Sequence, residues 1–303
     1  MLTAGVSGLR SVQLGVTDLT GRENFYTRVW HLSPVAKTAS SVYLRGTGEF
    51  HHLLGLHSRS APELLRLDFA VPSRAGVDAL HAAIGASGVE AIETPAELSE
   101  PAGGYGFAFK DPEGRTIQIV ADDVRHKDAP TDPDRPTKIT HVVLNSSVPD
   151  QMTEFYCRCL GFEVIDRTVM LTFLRCNDDH HTIAFARAEH ATLHHIAFEL
   201  KDLDSVMRGA GRMRDNGFQI EWGIGRHGPG DNVFAYFVGP DDVVIEYTAE
   251  VKKVDKTYKV GQPSDWIWPP GRNDQWGIAV GPTERLKAAQ KKIGFSREIF
   301  HPG

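Results

Sequence analysis

An internal repeat limits the fold of this chain more than any other feature of its sequence. Short strand-like segments of the first half recur in the second half after a nearly constant interval. The matched segments are residues 10–14 with 140–144, His51 and His52 with His180 and His181, residues 67–69 with 196–198, and residues 111–114 with 239–242. The interval shortens only from 130 to 128 residues along the chain. A repeat of this length indicates a duplicated structural unit.

Each half contains two similar modules. A module begins with a short alternating strand, continues into a helix such as residues 151–160 or 203–216, and ends in further short strands joined by Gly, Asp and Pro turns. We therefore predict an α+β fold of four βαβββ modules, paired into two domains. The predicted boundaries are 1–125 for the first domain, 126–137 for a proline-containing exposed linker, 138–250 for the second domain and 251–303 for a C-terminal extension.

Charge and hydropathy limit the partners. The 303 residues carry a net charge of −6, without the basic face that nucleic acid or an anionic membrane would require. We expect a small-molecule partner instead. No apolar stretch approaches the length of a membrane span, and the first residues lack the pattern of a signal peptide. With three cysteines that cannot all pair, these features predict a cytoplasmic protein with reduced thiols.

Three residues of the second half are candidate metal ligands: His141, His195 and Glu246. A histidine on an apolar strand face is more often packed in a core than bound to metal, and this alternative applies to His141. Because side chains alternate across a strand, we expect only one of His194 and His195 to face a cavity, and the repeat register favours His195. A carboxylate in an apolar strand, as at Glu246, is costly unless it is paired or bound to a cation. Two imidazoles and one carboxylate with open positions form the ligand pattern of a non-haem iron(II) oxygenase.

The repeat supplies an internal comparison for these ligands. At the equivalent positions the first half carries Ser11, Arg66 and Gln118, which as a set could not hold a divalent metal. We therefore predict a metal site in the second domain and a structural duplicate without one in the first.

Three further polar residues are candidate catalytic groups: His181, His227 and Tyr236. His181 follows a polar turn and His227 lies in a Gly-rich loop, so both residues could simply be solvated. Tyr236 precedes Glu246 by ten residues, and hairpin pairing across the turn at 239–242 could bring it beside the carboxylate. A tyrosine in a strand is nevertheless more often a core residue than a catalytic one.

Several motifs together resemble the type I extradiol (meta-cleaving) catecholic dioxygenases of the vicinal oxygen chelate superfamily. The motifs are residues 173–185, the pair His194 and His195, residues 225–227, and Tyr236 ten residues before Glu246. The resemblance covers residues 6–250 and is specific in the second half and weak in the first. The loop 228–232 follows the family pattern only loosely.

The resemblance implies both a ligand set and a chemistry. His141, His195 and Glu246 would be the metal ligands, His181 the acid/base, and His227 and Tyr236 the groups that hydrogen-bond the substrate. The metal would be Fe(II), with Mn(II) as the alternative. The substrates would be a catecholic small molecule and O2, with ring cleavage next to the diol in aromatic compound catabolism. Exposed strand edges in such modules are often covered by another subunit, which favours a homo-oligomer.

Two other classes share the predicted architecture: glyoxalase-type metal isomerases and small-molecule binding proteins. Glyoxalase-type sites commonly use a fourth protein ligand, whereas only three candidates converge in this sequence. His181 and His227 would have no role in simple sequestration. The sequence therefore favours the dioxygenase.

Overall fold

Two mixed β-sheets of eight strands each form the scaffold in the computed structural model, which describes residues 5–89, 92–128 and 132–302. The first sheet contains β1 (Gly8–Val16), β2 (Ser33–Lys37), β3 (Ser41–Arg45), β4 (Leu54–Ser58), β5 (Glu63–Ala70), β6 (Ala96–Glu97), β7 (Tyr105–Lys110) and β8 (Thr116–Ala121). The second contains β9 (Lys138–Ser146), β10 (Glu163–Arg167), β11 (Leu171–Arg175), β12 (Ile183–Arg187), β13 (Leu193–Glu199), β14 (Trp222–Arg226), β15 (Val233–Val238) and β16 (Val244–Ala249).

Five α-helices accompany the sheets: α1 (Leu19–Asn24), α2 (Arg74–Gly85), α3 (Pro149–Leu160), α4 (Leu203–Asp215) and α5 (Glu284–Ala289). A π-helical turn (Phe25–Val29) continues α1, and short 3-10 turns lie at Pro240–Asp242 and Pro263–Trp266. The third helix begins two residues earlier than predicted because proline is well tolerated in the first turn of a helix. The fourth begins after Asp202, whose carboxylate accepts a hydrogen bond from the backbone N–H of Ser205.

The strand order confirms the predicted α+β architecture of four βαβββ modules. The first sheet runs β2-β3-β4-β1-β5-β8-β7-β6, and the second runs β10-β11-β12-β9-β13-β16-β15-β14. In each sheet the first strands of the two modules pair antiparallel at the centre. Each of these strands also pairs in parallel with the last strand of its own module. The two sheets therefore have the same topology.

Aromatic packing joins the two sheets. The ring of Trp30 lies 3.6 Å from that of Tyr247 in a nearly parallel stack, and the Tyr247 hydroxyl donates to the Trp30 carbonyl at 2.8 Å. Both rings are buried. The predicted linker lies beside this interface. Pro130 is outside the described residues, whereas Pro136 is buried and its carbonyl accepts a hydrogen bond from Thr47 N–H.

The C-terminal extension crosses both domains. It forms isolated bridges from Asp166 to Gly261, from Leu193 to Ile293 and from Leu64 to Phe295. Its last buried aromatic residue, Phe300, packs against His57 of the first domain. Within the described part of the chain, no helix has both the length and the apolar character needed to span a membrane.

Candidate metal centre and cavity

Six neighbouring strands of the second sheet each bring one of the predicted site residues to the same face. Across the order β12-β9-β13-β16-β15-β14, these residues are His181, which precedes β12, then His141, His195, Glu246 and Tyr236, and finally His227, which follows β14. Their ring and cavity contacts show that they converge. The structure thus brings all six together.

The atoms of the three ligand candidates are mutual neighbours. Nε2 of His195 lies 3.1 Å from Oε2 of Glu246 and 3.3 Å from Nε2 of His141. The third separation, from His141 Nε2 to Glu246 Oε2, is also 3.3 Å. Ligands about 2.1 Å from a common ion and at right angles to one another would lie about 3.0 Å apart. The three side chains therefore fit one face of a coordination sphere.

Glu246 provides the clearest indication of a cation-binding site. It is fully buried, and its Oε2 accepts no well-aligned hydrogen bond from the residues that the structure describes. Burial would raise the pKa of this carboxyl, but the imidazoles of His141 and His195 outweigh that effect and hold the pKa well below its ordinary value. An ionised, buried oxygen without a hydrogen-bond donor fits a divalent metal ligand.

His195 is suited to bind metal in its neutral form. Burial lowers the pKa of His195, against the opposing effect of the Glu246 carboxylate. A neutral imidazole keeps a lone pair for the metal. Among the described residues, the only group of three or more His, Cys, Asp or Glu side chains close enough to hold a metal ion is His141, His195 and Glu246.

The expectation that only one of His194 and His195 faces the cavity is wrong, because the strand is bulged. Leu193 pairs with Leu144 and His195 pairs with Val143, so His194 is an extra residue in the ladder. Both rings consequently line the cavity, and their Nδ1 atoms lie 2.7 Å apart. His195, rather than His194, belongs to the ligand group.

Tyr236 and His227 form a hydrogen-bonded pair beside the ligands. The Tyr236 hydroxyl lies 3.0 Å from Nε2 of His227. Burial and the nearby Glu246 charge raise the pKa of Tyr236 well above its ordinary value, so the hydroxyl keeps its proton. Burial lowers the pKa of His227 to about 4. At neutral pH this wall of the site offers one phenol and one neutral imidazole.

His181 lies on the opposite side of the ligands. Its ring centroid is 4.1 Å from that of His141, and its Nδ1 is 3.1 Å from Nδ1 of His180. Burial, followed by the nearby imidazoles, lowers the pKa of His181 well below its ordinary value. The side chain is therefore a neutral imidazole that can accept a proton.

The equivalent place in the first domain holds a network of ion pairs. Ser11 Oγ donates to the Asp68 carboxylate at 2.6 Å, and Arg66 Nε donates to it at 2.5 Å. Gln118 and Arg66 both bind the carboxylate of Glu100. The buried guanidinium groups of Arg66 and Arg10 supply the positive charge in this network, which differs from the three-ligand group of the second domain.

A cavity of about 510 Å³ opens next to the metal centre. Trp222, Pro229 and Phe173 line its inner wall, and Trp266 and Trp268 of the C-terminal extension line its outer wall. None of its described lining residues is Lys, Arg, Asp or Glu. The cavity is therefore mainly apolar away from the ligands.

The sequence analysis did not identify two residues that support the site. Asn232 donates to Thr248 Oγ1 at 2.8 Å and lies 3.5 Å from Oε1 of Glu246. Asp166 lies 2.7 Å from Nε2 of His180. The repeat contains a signal for Asp166, because the equivalent bulged strand of the first domain carries Ala36 at this position. No comparable signal in the sequence marks Asn232.

Comparisons with known proteins agree with this architecture. The family model of the Glyoxalase/Bleomycin resistance protein/Dioxygenase superfamily matches residues 138–247. The crystal structure of a Mn(II)-bound glyoxalase from Novosphingobium aromaticivorans is 36% identical, covers 93% of this chain and 94% of that chain, and superposes with a TM-score of 0.87.

Two dioxygenases are also similar to this chain. Metapyrocatechase 2 of Cupriavidus necator is 27% identical over 214 residues, and the match spans 62% of each chain. The chain thus matches less than two thirds of the length of this relative. The 2,3-dioxygenase LapB from Pseudomonas sp. KL28 is 21% identical, covers 88% of this chain and 100% of that chain, and has a TM-score of 0.78, which shows a shared fold. On the strength of the family model and the 36% identical structure, the chain belongs to the glyoxalase/bleomycin resistance protein/dioxygenase superfamily.

Proposed function

We propose that this protein is an extradiol dioxygenase, which inserts both atoms of O2 into a catecholic ring next to the diol. One observation carries the proposal: a ligand group of two imidazoles and one carboxylate faces a cavity whose walls hold His181 on one side and the pair His227 and Tyr236 on the other. Three protein ligands leave positions open for a substrate with two adjacent oxygens and for dioxygen. Two similar proteins that carry dioxygenase names support the same function.

The donor set favours Fe(II), with Mn(II) as the alternative, because both metals accept imidazole and carboxylate ligands. When bound, the metal supplies a cation that acidifies a coordinated diol and a redox partner for dioxygen. His141, His195 and Glu246 would hold it. Because an imidazole binds a metal through its neutral form and Glu246 is ionised, the three ligands would contribute a single negative charge to the centre.

His227 and Tyr236 would orient the diol. A protonated Tyr236 can donate to a catecholate oxygen, while the neutral His227 ring beside it holds the hydroxyl in position. The stacking of His227 on Phe234, with ring centroids 3.9 Å apart, fixes this imidazole in turn. The pair would therefore set which oxygen of the diol lies on this side of the centre.

His181 would move a proton on the other side. Its neutral ring can take a proton from the incoming hydroxyl and return it later in the reaction, which is the usual role of a positioned general base. Its burial excludes bulk water from this exchange.

The cavity favours a neutral substrate with an apolar substituent. Its described walls carry apolar and aromatic side chains and no fixed cation to pair with a carboxylate. A volume of about 510 Å³ exceeds what a single unsubstituted ring would fill. We therefore propose bicyclic or alkyl-substituted catechols as the preferred substrates, rather than aromatic acids.

Anaerobic reconstitution with Fe(II), followed by admission of air and a panel of catechols, tests the proposal. A yellow ring-fission product, formed with one O2 consumed per substrate, is the expected result. The product should be lost in Glu246→Ala. It should persist in Gln118→Ala, which changes the equivalent residue of the first domain. Tight metal binding without O2 uptake on any catechol would overturn the proposal.

The similarity to the Mn(II)-bound glyoxalase favours a second candidate, a metal-dependent isomerase of an α-keto hemithioacetal. That reaction consumes no O2. Incubating the Mn(II)-loaded protein with the hemithioacetal under anaerobic conditions separates the two functions. Turnover there, together with no O2 uptake on catechols, would establish the isomerase.

A further inference from the structure

A buried chain of three side chains extends behind His181. Nδ1 of His181 lies 3.1 Å from Nδ1 of His180, and Nε2 of His180 lies 2.7 Å from Oδ2 of Asp166. His180 and Asp166 have no exposed surface. The extension completes the chain, because the hydroxyl of Tyr258 donates to Oδ2 at 3.1 Å and Gly261 N–H donates to Oδ1 at 2.6 Å.

Counting hydrogens along this chain assigns a tautomer to His181. The Asp166 carboxylate can only accept, so Nε2 of His180 carries a hydrogen. In a neutral His180 ring, Nδ1 is then an acceptor, and the hydrogen shared between the two rings must come from Nδ1 of His181. This leaves Nε2 of His181 with a free lone pair.

The first domain contains the same pair of histidines and supports the same assignment. Nδ1 of His51 and Nδ1 of His52 lie 3.0 Å apart. Nε2 of His52 faces two donors, the amide nitrogen of Gln13 at 3.2 Å and Nη1 of Arg10 at 3.4 Å. His52 must therefore accept at Nε2 and carry its hydrogen on Nδ1.

The two domains differ at the position of Asp166, the residue that hydrogen-bonds the first histidine of the pair in the second domain. Asp166 pairs with Phe173 directly after the bulge of β10, and Ala36 pairs with Tyr43 at the equivalent position of β2. The carboxylate is thus present only in the domain that has the ligand group. In the first domain, Gln13 and Arg10 occupy Nε2 of His52, whereas a general base requires this nitrogen to be free for the substrate.

We propose that Asp166 and His180 are positioning residues that hold His181 with its hydrogen on Nδ1 and its free Nε2 available to the substrate. Tyr258 and Gly261 of the extension hold Asp166 in turn. The inference rests on the proposed role of His181 as the acid/base of the dioxygenase. It adds a requirement that the ligand residues alone do not impose, since the dyad contacts His181 and not the metal ligands.

The experiment measures the tautomer directly. Long-range ¹H–¹⁵N spectra of the full chain, labelled on histidine and loaded with diamagnetic Zn(II), should show His181 protonated at Nδ1 and unprotonated at Nε2. In Asp166→Asn, which keeps the size but removes the charge, the His181 signals should shift towards the other tautomer. Tyr258→Phe should produce a smaller shift in the same direction.

Kinetics of the Fe(II)-loaded variants supply the second readout. Asp166→Asn should lower kcat on the order of 10- to 100-fold, with unchanged metal content and an almost unchanged KM. The matched control is His51→Gln in the first domain, which should leave kcat and the His181 signals as in the wild type. Thermal unfolding of each variant identifies any that has simply failed to fold.

The outcomes separate this inference from the proposed function. An unchanged His181 tautomer in a folded Asp166→Asn would overturn the inference, whatever the activity. If the wild type showed the assigned tautomer, the Asp166→Asn shift and no ring cleavage on any catechol, the positioning by Asp166 would stand and the dioxygenase proposal would fail.

Discussion

Tyr236 and Glu246 lie directly opposite each other in the antiparallel pairing of β15 with β16. Side chains of directly opposed residues share a face of the sheet, so the tyrosine hydroxyl and the carboxylate reach the same side. One hairpin thereby supplies both a metal-ligand candidate and a substrate-binding candidate. Their separation is fixed by backbone pairing rather than by a flexible loop.

Metal should stabilise the fold through this carboxylate. We expect Mn(II) or Fe(II) at 100 times its Kd to raise the free energy of unfolding by about 2.7 kcal/mol, because the metal binds only the folded state. Thermal unfolding with and without a chelator measures the effect. Glu246→Ala should unfold at the same temperature in both conditions. A metal-dependent shift that survives this substitution would contradict the ligand assignment.

Substitutions of His181 and His195 should impair the protein in different ways. His181→Ala removes a proton carrier and should lower kcat by about 100- to 10,000-fold while metal remains bound. His195→Ala removes a ligand and should lose the metal itself. Metal analysis beside O2-uptake rates distinguishes the two. His52→Ala, the first-domain counterpart of His181, is the control for loss of a buried imidazole; full activity in His181→Ala would refute the assignment.

Substrate charge should matter at the cavity rim. A carboxylate-bearing catechol should have a lower kcat/KM than a neutral one of similar size, because no described lining residue offers a cation. Met170→Lys, at a 54% exposed rim position, should reduce that difference severalfold. Val124→Lys, equally exposed but outside the cavity lining, should have no effect. Equal responses of the two variants would argue against an uncharged cavity as the source of selectivity.

Stability should fall as the pH is lowered below the ordinary histidine range. Burial, followed by the charges of Arg66 and Arg59, lowers the pKa of His57 to about 3. Between about pH 3 and 6.5 the unfolded chain binds a proton at this position that the folded chain does not, so stability rises with pH across that window. The effect is on the order of a few kcal/mol.

Denaturant unfolding at several pH values, with the protein kept metal-free by a chelator, measures this dependence. His57→Gln should make it shallower, and His190→Gln, at an exposed position, should leave it unchanged. A slope that is identical in His57→Gln and the wild type would show that another group is responsible.

Phe300 should stabilise the first domain from the end of the extension. Its ring is 5% exposed and packs against His57, and its carbonyl accepts a hydrogen bond from Arg66. Phe300→Ala should cost about 3–5 kcal/mol without changing the metal content of the folded protein. Chemical denaturation measures the loss. Arg297→Ala, an exposed neighbour in the same segment, should cost far less.

Much of the fold could be predicted from the repeat alone. Matching one half of the chain to the other placed His141, His195 and Glu246 on three strands, and the shared strand order puts those strands side by side at the centre of a sheet. The superfamily to which those motifs pointed is confirmed by the comparisons. Alternation along strands, however, gave the wrong expectation for His194, because a bulge cannot be seen in residue types.

The contacts that support the candidate site could not be predicted from the sequence, for a different reason. Asp166 meets His180 only through the pairing of β10, β11 and β12, and Tyr258 reaches it from a segment outside the repeat. Periodicity reports which face of its own element a residue occupies. It does not report which distant element covers that face, and the walls contributed by Trp266 and Trp268 depend on such coverage.

The path of the C-terminal extension also determines the order in which the two domains can complete their folding during synthesis. The first domain leaves the ribosome first, yet the hydrogen bond from Arg66 and the packing of His57 require Phe300, which is made more than two hundred residues later. During synthesis the first domain would therefore lack these contacts while the second half of the chain is still being made. The first domain is therefore completed only after the extension that carries Phe300 has been synthesised.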